Sequence, residues 1–213
     1  FSGAFTALVT PFRNGEVDVE ALEGMVEFQI HNGIHGLVPC GTTGETPAMT
    51  EEEDRIVINT VVRIANGRVP VIAGSGSNST DMAIKYTKMA EVEGADGSLH
   101  VAPYYYKPTQ EGLYRHFRAV AEAVDIPILI YNIQGRTAIN VETDTLARLV
   151  KDCPNIVGVK EASGSLDQMT QVILACGPDF SVLSGDDNIT LPLMSVGGRG
   201  VISVVANVVP RET

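Results

Sequence analysis

Basic residues are scarce in this chain: 15 Lys and Arg stand against 26 Asp and Glu, a net charge of −11. No basic stripe interrupts that balance, so nucleic acid and anionic membranes are excluded as partners. An anionic small molecule stays compatible, provided its binding site supplies positive charge locally. No run approaches the roughly 18 uncharged apolar residues that a membrane helix requires. The opening Phe1-Ser2-Gly3-Ala4 lacks the basic and apolar regions of a signal peptide, so the expected location is the cytoplasm. Cys40, Cys153 and Cys176 are an odd three without CxxC spacing. They read as buried reduced thiols, not as a disulfide framework or a metal knuckle. His31, His35, His100 and His116 form no HxH or HExxH pair, and no metal is expected.

What is present is an ordinary globular composition, 44% hydrophobic and 19% charged over 213 residues. That length suits one domain spanning 1–213 with a real core. Short apolar runs recur at Phe5–Thr10, Gly36–Cys40, Val69–Ala73, Leu99–Ala102, Ile126–Tyr131, Ile156–Val159, Phe180–Ser184 and Gly200–Val205. Segments of helical spacing separate them. The first puts Leu22, Met25, Val26 and Ile30 on one face. The second opens with Thr50-Glu51-Glu52-Glu53, a capping box with extra acids at the positive helix end. Others fit at about 79–93, 110–124, 143–151, 165–176 and 187–197. Strands alternating with helices imply parallel pairing and right-handed crossovers. Eight such units close as a (β/α)8 barrel with its active site at the carboxyl ends of the strands. The eighth strand is followed only by Asn207 to Thr213, so an eighth helix is missing and the sequence is expected to belong to a longer protein.

The residues after each strand are therefore the ones to read for chemistry. The second strand leads into Gly41-Thr42-Thr43-Gly44-Glu45, where hydroxyls and backbone N–H groups suit a carboxylate. The fourth leads into Pro103-Tyr104-Tyr105-Tyr106-Lys107-Pro108, three tyrosines that cannot all be core. The fifth ends in Tyr131-Asn132, followed by Gly135-Arg136-Thr137. A phenol there can shuttle protons, and an arginine can clamp a carboxylate. The sixth ends in Lys160. Closing a buried strand with lysine is costly unless the amine has a task, since lysine is almost never buried unpaired. A desolvated amine loses its proton more readily and can attack a carbonyl to form a Schiff base. The seventh ends Ser184-Gly185-Asp186-Asp187, with one aspartate suited to a helix cap, and the eighth unit reads Gly197-Gly198-Arg199-Gly200-Val201-Ile202. One lysine, several hydroxyls and an arginine converge on one rim, which suggests a Schiff-base lyase or aldolase acting on a small oxo-acid.

GTTGE at 41–45, PYYYKPTQEGLYRHF at 103–117, YNIQGRT at 131–137, VGVKEASG at 157–164, LSGDD at 183–187 and GGRGVISVVAN at 197–207 closely resemble the dihydrodipicolinate synthase family, among the pyruvate-dependent class I aldolases. The resemblance spans the chain in order. It implies condensation of pyruvate with L-aspartate 4-semialdehyde in diaminopimelate and lysine synthesis, with no cofactor beyond the pyruvate held on Lys160. By the same likeness Tyr131 is the general acid/base, and Thr42 and Tyr105 complete its proton relay. Thr43, Ile202 and Gly185 match pyruvate-site positions, and Arg136 matches the arginine that receives the semialdehyde carboxylate. Tyr105 would reach a neighbouring subunit's site, implying a homo-oligomer, a tetramer built as a dimer of dimers.

Three positions depart from the family pattern. Gln134 stands where proline is usual, so the loop carrying Arg136 is expected to be less pre-organised. Lysine-inhibited members carry an acid at the place of Met82 and a histidine or tryptophan at that of Asp54. Feedback by lysine is therefore expected to be weak or absent, although Asn78 and Tyr104 are retained. Sibling aldolases acting on N-acetylneuraminate or 2-keto-3-deoxy sugar acids share the barrel, the tyrosine and the lysine. The GRT context of Arg136 favours the synthase over them. A phosphate-binding barrel is disfavoured because Asp186 and Asp187 would repel a dianion in the seventh loop. A non-catalytic binding barrel would leave the rim's convergence to coincidence.

Overall fold

A computed structural model describes residues 1–213. Eight parallel strands, Gly3–Ala7, Gly36–Val38, Ile72–Gly74, Gly97–Val101, Ile128–Asn132, Ile156–Glu161, Ser181–Ser184 and Gly200–Ser203, lie side by side in chain order. The first pairs with the eighth through Gly3↔Gly200 to Thr6↔Ser203. A Leu37↔Val71 bridge, with Gly74 N–H donating to Pro39 O at 2.9 Å, joins the second to the third and closes the (β/α)8 barrel. The first strand begins earlier than the apolar run Phe5–Thr10 suggests, because Gly3 N–H is already used by Arg199 O at 2.8 Å.

The layer outside comprises α1 (Val19–His31), α2 (Glu51–Ala65), α3 (Thr80–Val92), α4 (Gln110–Ala121), the single turn α5 (Gln134–Thr137), α6 (Thr143–Asp152), α7 (Leu166–Cys176) and α8 (Thr190–Ser195). Side-chain oxygens of Asp18, Thr50, Ser79, Thr109 and Ser165 cap five of them, each worth about 1 kcal/mol. The capping box at Thr50 and Glu53 is formed as its spacing implies. Strand pleating splits the core. Phe5, Val38, Ile72, Leu99, Leu129 and Ile202 fill the barrel interior, while Ile128, Ile130, Ile156 and Val159 pack outward under the helices. That two-sided burial is why the strands read as continuous apolar runs.

After the eighth strand comes a short 3-10 turn, Val205–Asn207. Asn207 ties it to the first strand by donating to Ala7 O at 2.7 Å and accepting from Val9 N–H at 3.2 Å. Cys40 and Cys153 are buried and Cys176 is half-buried, all as free thiols. No helix is long and apolar enough to cross a membrane.

Candidate active site

Lys160 lies on the inner face of the sixth strand, and Tyr131 is its register partner on the fifth. Only 6% of the lysine is exposed, and its Nζ sits 4.3 Å from the centroid of the Tyr131 ring. Burial pushes the ammonium down from 10.5 to about 8; the field of Arg136 adds to this, and Asp186 and Asp187 oppose it. The same burial pushes the Tyr131 phenol up from 10.0 to about 12, with Arg136 acting against it and Asp186 with it. Near neutrality the pair is therefore a partly available amine beside a protonated phenol.

The neighbouring loop makes room for the lysine stem. A Cβ on Gly185 would stand 2.6 Å from Ala162 Cβ and 3.3 Å from Lys160 Cε, so only glycine fits without displacing one of them. One of Asp186 and Asp187 is expected to cap a helix, but neither side chain caps the segment that follows; Asp187 Oδ2 instead accepts from Val204 and Val205 N–H beyond the next strand, at 3.2 and 3.3 Å.

The loop after the second strand folds back as consecutive tight turns, Gly44 N–H to Gly41 O and Glu45 N–H to Thr42 O, both 3.1 Å. Thr10 Oγ1 anchors it by donating to Gly44 O at 2.7 Å. Gly74 is required beneath, since a Cβ there would lie 2.1 Å from Cys40 O. These turns bring Thr42 and Thr43 onto a cavity of roughly 230 Å³ that Tyr131 and Lys160 also line.

The other expected site residues are distributed differently. Ile202 is fully buried in the barrel interior. Arg136 lies on α5, exposed, and close enough for its charge to act on both Lys160 and Tyr131. Tyr105 is 90% exposed on a left-handed backbone, φ +80°, and does not line the cavity. Asp54, Met49 and Tyr86 do line it, and the motif reading gave them no place there. Asp54 stands on α2 as one acid in the run Glu51-Glu52-Glu53-Asp54, so nothing local distinguishes it; its burial is set by how α2 packs. Its Oδ1 has no partner, and burial pushes its carboxyl up to about 6.

A (β/α)8 barrel whose sixth strand carries a buried lysine of lowered pKa, against a protonated phenol, defines a Schiff-base-forming lyase of the class I aldolase kind. Comparison narrows the class. The family model described as Dihydrodipicolinate synthetase family matches residues 1–213, and the chain belongs to that family. It is 57% identical over 212 residues to 4-hydroxy-tetrahydrodipicolinate synthase of Nitratidesulfovibrio vulgaris, covering 100% of this chain and 73% of that protein. The synthase of Syntrophus aciditrophicus is 58% identical over 212 residues, at 100% and 72%. Among solved structures, the synthase of Methylacidiphilum fumariolicum SolV superposes with TM-score 0.98 at 49% identity, covering 99% of this chain and 70% of that one. The dihydrodipicolinate synthase of Aquifex aeolicus gives TM-score 0.98 at 51% identity, with 100% and 72% covered.

Proposed function

We propose that this chain condenses pyruvate with L-aspartate 4-semialdehyde, as the synthase relatives do. The observation that carries the reading is Lys160, a buried lysine with no ion-pair partner, brought down to about 8 at the mouth of a barrel. Its neutral amine adds to the C2 carbonyl of pyruvate. The Tyr131 phenol gives a proton to the departing hydroxyl, so water leaves and an iminium remains. The Tyr131 phenolate takes a C3 proton to give an enamine, whose carbon attacks the aldehyde of the second substrate while the new alkoxide takes that proton back; the second substrate's own amine then displaces Lys160 from C2, closing the ring and freeing the lysine. The lysine nitrogen is itself the electron sink, so no cofactor is needed.

Thr43, with the Thr42–Gly44 turn, supplies hydroxyl and N–H donors to the pyruvate carboxylate, and Thr42 lines the same cavity as Tyr131. Gly185 leaves room for the lysine stem, and Ile202 packs in the barrel interior. Arg136, which enters no ion pair of the chain, receives the semialdehyde carboxylate. Its position favours this reaction over a sugar-acid aldolase, whose polyhydroxylated substrate has no use for a second guanidinium. Tyr105, exposed on strained backbone, serves a neighbouring subunit's relay, which makes the working form a homo-oligomer, a tetramer of two dimers. Residues 1–213 act as one barrel domain, and biosynthetic chemistry of this kind suits the cytoplasm.

Incubation with pyruvate and borohydride tests the proposal. A covalent mass increment mapped to Lys160 is expected, and folded protein that yields no adduct refutes the reading. A panel of oxo-acid and sugar-acid substrates then separates the synthase from its siblings.

A further inference from the structure

Glu161 follows Lys160 directly, and the pleat turns its side chain to the opposite face of the strand, towards α7. It is 0% exposed and enters no ion pair. A carboxylate taken from water without a cation costs several kcal/mol unless hydrogen-bond donors replace the lost solvent. Three do so. Ser163 N–H donates to Oε1 at 2.8 Å, Asn132 Nδ2 reaches both oxygens at 3.2 Å, and Gln168 Nε2 reaches Oε2 at 3.3 Å.

One residue fixes how both amides point. Val141 N–H can only donate, and it donates to Asn132 Oδ1 at 3.0 Å. Val141 C=O can only accept, and it accepts from Gln168 Nε2 at 3.3 Å. Both amides must therefore present N–H to Glu161, and a proton on either carboxyl oxygen would meet a donor. Burial lifts this carboxyl above its ordinary range, and the hydrogen bonds from Ser163, Asn132 and Gln168 pull it back towards the anion.

Asn140 completes the circuit. Its Oδ1 accepts from Asn132 Nδ2 at 2.8 Å and Gln168 Nε2 at 3.1 Å, and its Nδ2 donates to Gln168 Oε1 at 2.8 Å. The segment 133–139, which holds α5 and Arg136, thus departs at Asn132 and returns at Asn140 and Val141 through a single buried point. Glu161 is the charged group at that point, and it is also the register partner of Asn132.

Resting on the function proposed above, we infer that Glu161 is a positioning residue for the second substrate: its buried carboxylate clamps the base of the loop that presents Arg136. It touches neither substrate. Its effect should fall on the aldehyde and not on Schiff-base formation.

Glu161→Gln tests this, because the new NH2 must face Asn132 or Gln168 donors head-on. In steady-state kinetics KM for the semialdehyde should rise roughly tenfold, the scale on which small misplacements of a binding group act. KM for pyruvate and the borohydride-trapped adduct on Lys160 should stay as in the parent. An unchanged semialdehyde KM overturns the inference, and so does an equal loss for both substrates. If Glu161→Gln does not fold, Asn140→Ala spares all three donors to Glu161 and removes only the side-chain bonds of Asn140 at the loop's return. That variant should raise semialdehyde KM about threefold, and a parent-like value overturns the inference equally. A parent protein that forms no pyruvate adduct at all would instead bring down the proposed function, and this inference with it.

Discussion

Lys160 and Tyr131 occupy partnered positions on adjacent parallel strands, with the lysine nitrogen 4.3 Å from the centre of the tyrosine ring. Burial drives their pKa values in opposite directions, to about 8 and about 12. The rate of pyruvate adduct formation should therefore climb about tenfold per pH unit well below 8 and level off above it, as the neutral amine saturates. Tyr131→Phe keeps the ring against Lys160 and removes only the hydroxyl. It should lower kcat by about 10²–10³ while thermal unfolding stays close to the parent's. A flat pH profile between 6 and 9, or an active Tyr131→Phe, would show that another group moves the proton.

The same burial has a stability consequence. The folded pKa of Lys160 lies below its unfolded value, so native protein binds this proton less tightly than unfolded chain. The stability it allows is complete above about pH 10 and is lost as pH falls towards 8. At pH 7 the cost is about 3 kcal/mol, from 1.36 kcal/mol per unit. Lys160→Met should abolish the adduct yet raise unfolding free energy at pH 7 by about 1–3 kcal/mol, with the gain fading by pH 10. Urea melts at the two pH values read this directly.

Gly185 lends itself to a narrower test. Because a Cβ there meets Ala162 and the Lys160 stem, Gly185→Ala should displace the amine and slow adduct formation by about tenfold or more. The fold should survive, since the residue caps a strand end and buries little surface. Parent-like trapping kinetics would mean the lysine stem lies elsewhere when pyruvate binds.

Sequence periodicity made much of this barrel legible, because each strand end carries chemistry and each strand is apolar on both faces. Lys160, Tyr131, Thr42 and Thr43 meet at the cavity as their positions after the sixth, fifth and second strands require. What stayed hidden depends on three-dimensional packing. Glu161 carried no signal of its own in the sequence, yet α7 and the returning 140–141 segment bury it. Asp54 looked like one more acid in the first turn of α2, and only the helix's seat on the barrel turns it into the cavity. The hairpin Phe12–Arg13 with Glu16–Val17 is too short to leave a periodic trace.

Asp54 bears on feedback and on stability together. An inhibitor's ammonium would meet the uncharged, half-buried Met82 in place of an acid; burial lifts the Asp54 carboxyl to about 6. Sub-millimolar lysine should leave the steady-state rate unchanged, and clear inhibition would contradict this. For stability the sign is that of an acid raised on folding: the contribution is complete below about pH 4 and is lost as pH climbs through 6. Asp54→Asn should therefore stabilise the protein at pH 8 by about 1–2 kcal/mol and leave it unchanged at pH 4, as thermal melts would show.

Gln134 is the first residue of α5, where a backbone N–H has no intrahelical acceptor, and Ile133 before it is extended at φ −143° and ψ 85°. Both conditions suit proline, which needs no N–H at the first helical position and disfavours a helical predecessor. Gln134→Pro should then stabilise the chain by about 0.4–1 kcal/mol, by restricting the unfolded state. Its effect on catalysis depends on what already holds the loop. If the buried clamp at Glu161 sets the position of Arg136, proline adds little, and semialdehyde KM should fall by no more than about twofold. In the Glu161→Gln background the clamp is weakened, and the same proline should then recover a larger share of the lost affinity. Steady-state KM for the semialdehyde across the four-variant cycle measures that coupling, and strictly additive effects would show that the two devices act on different loops.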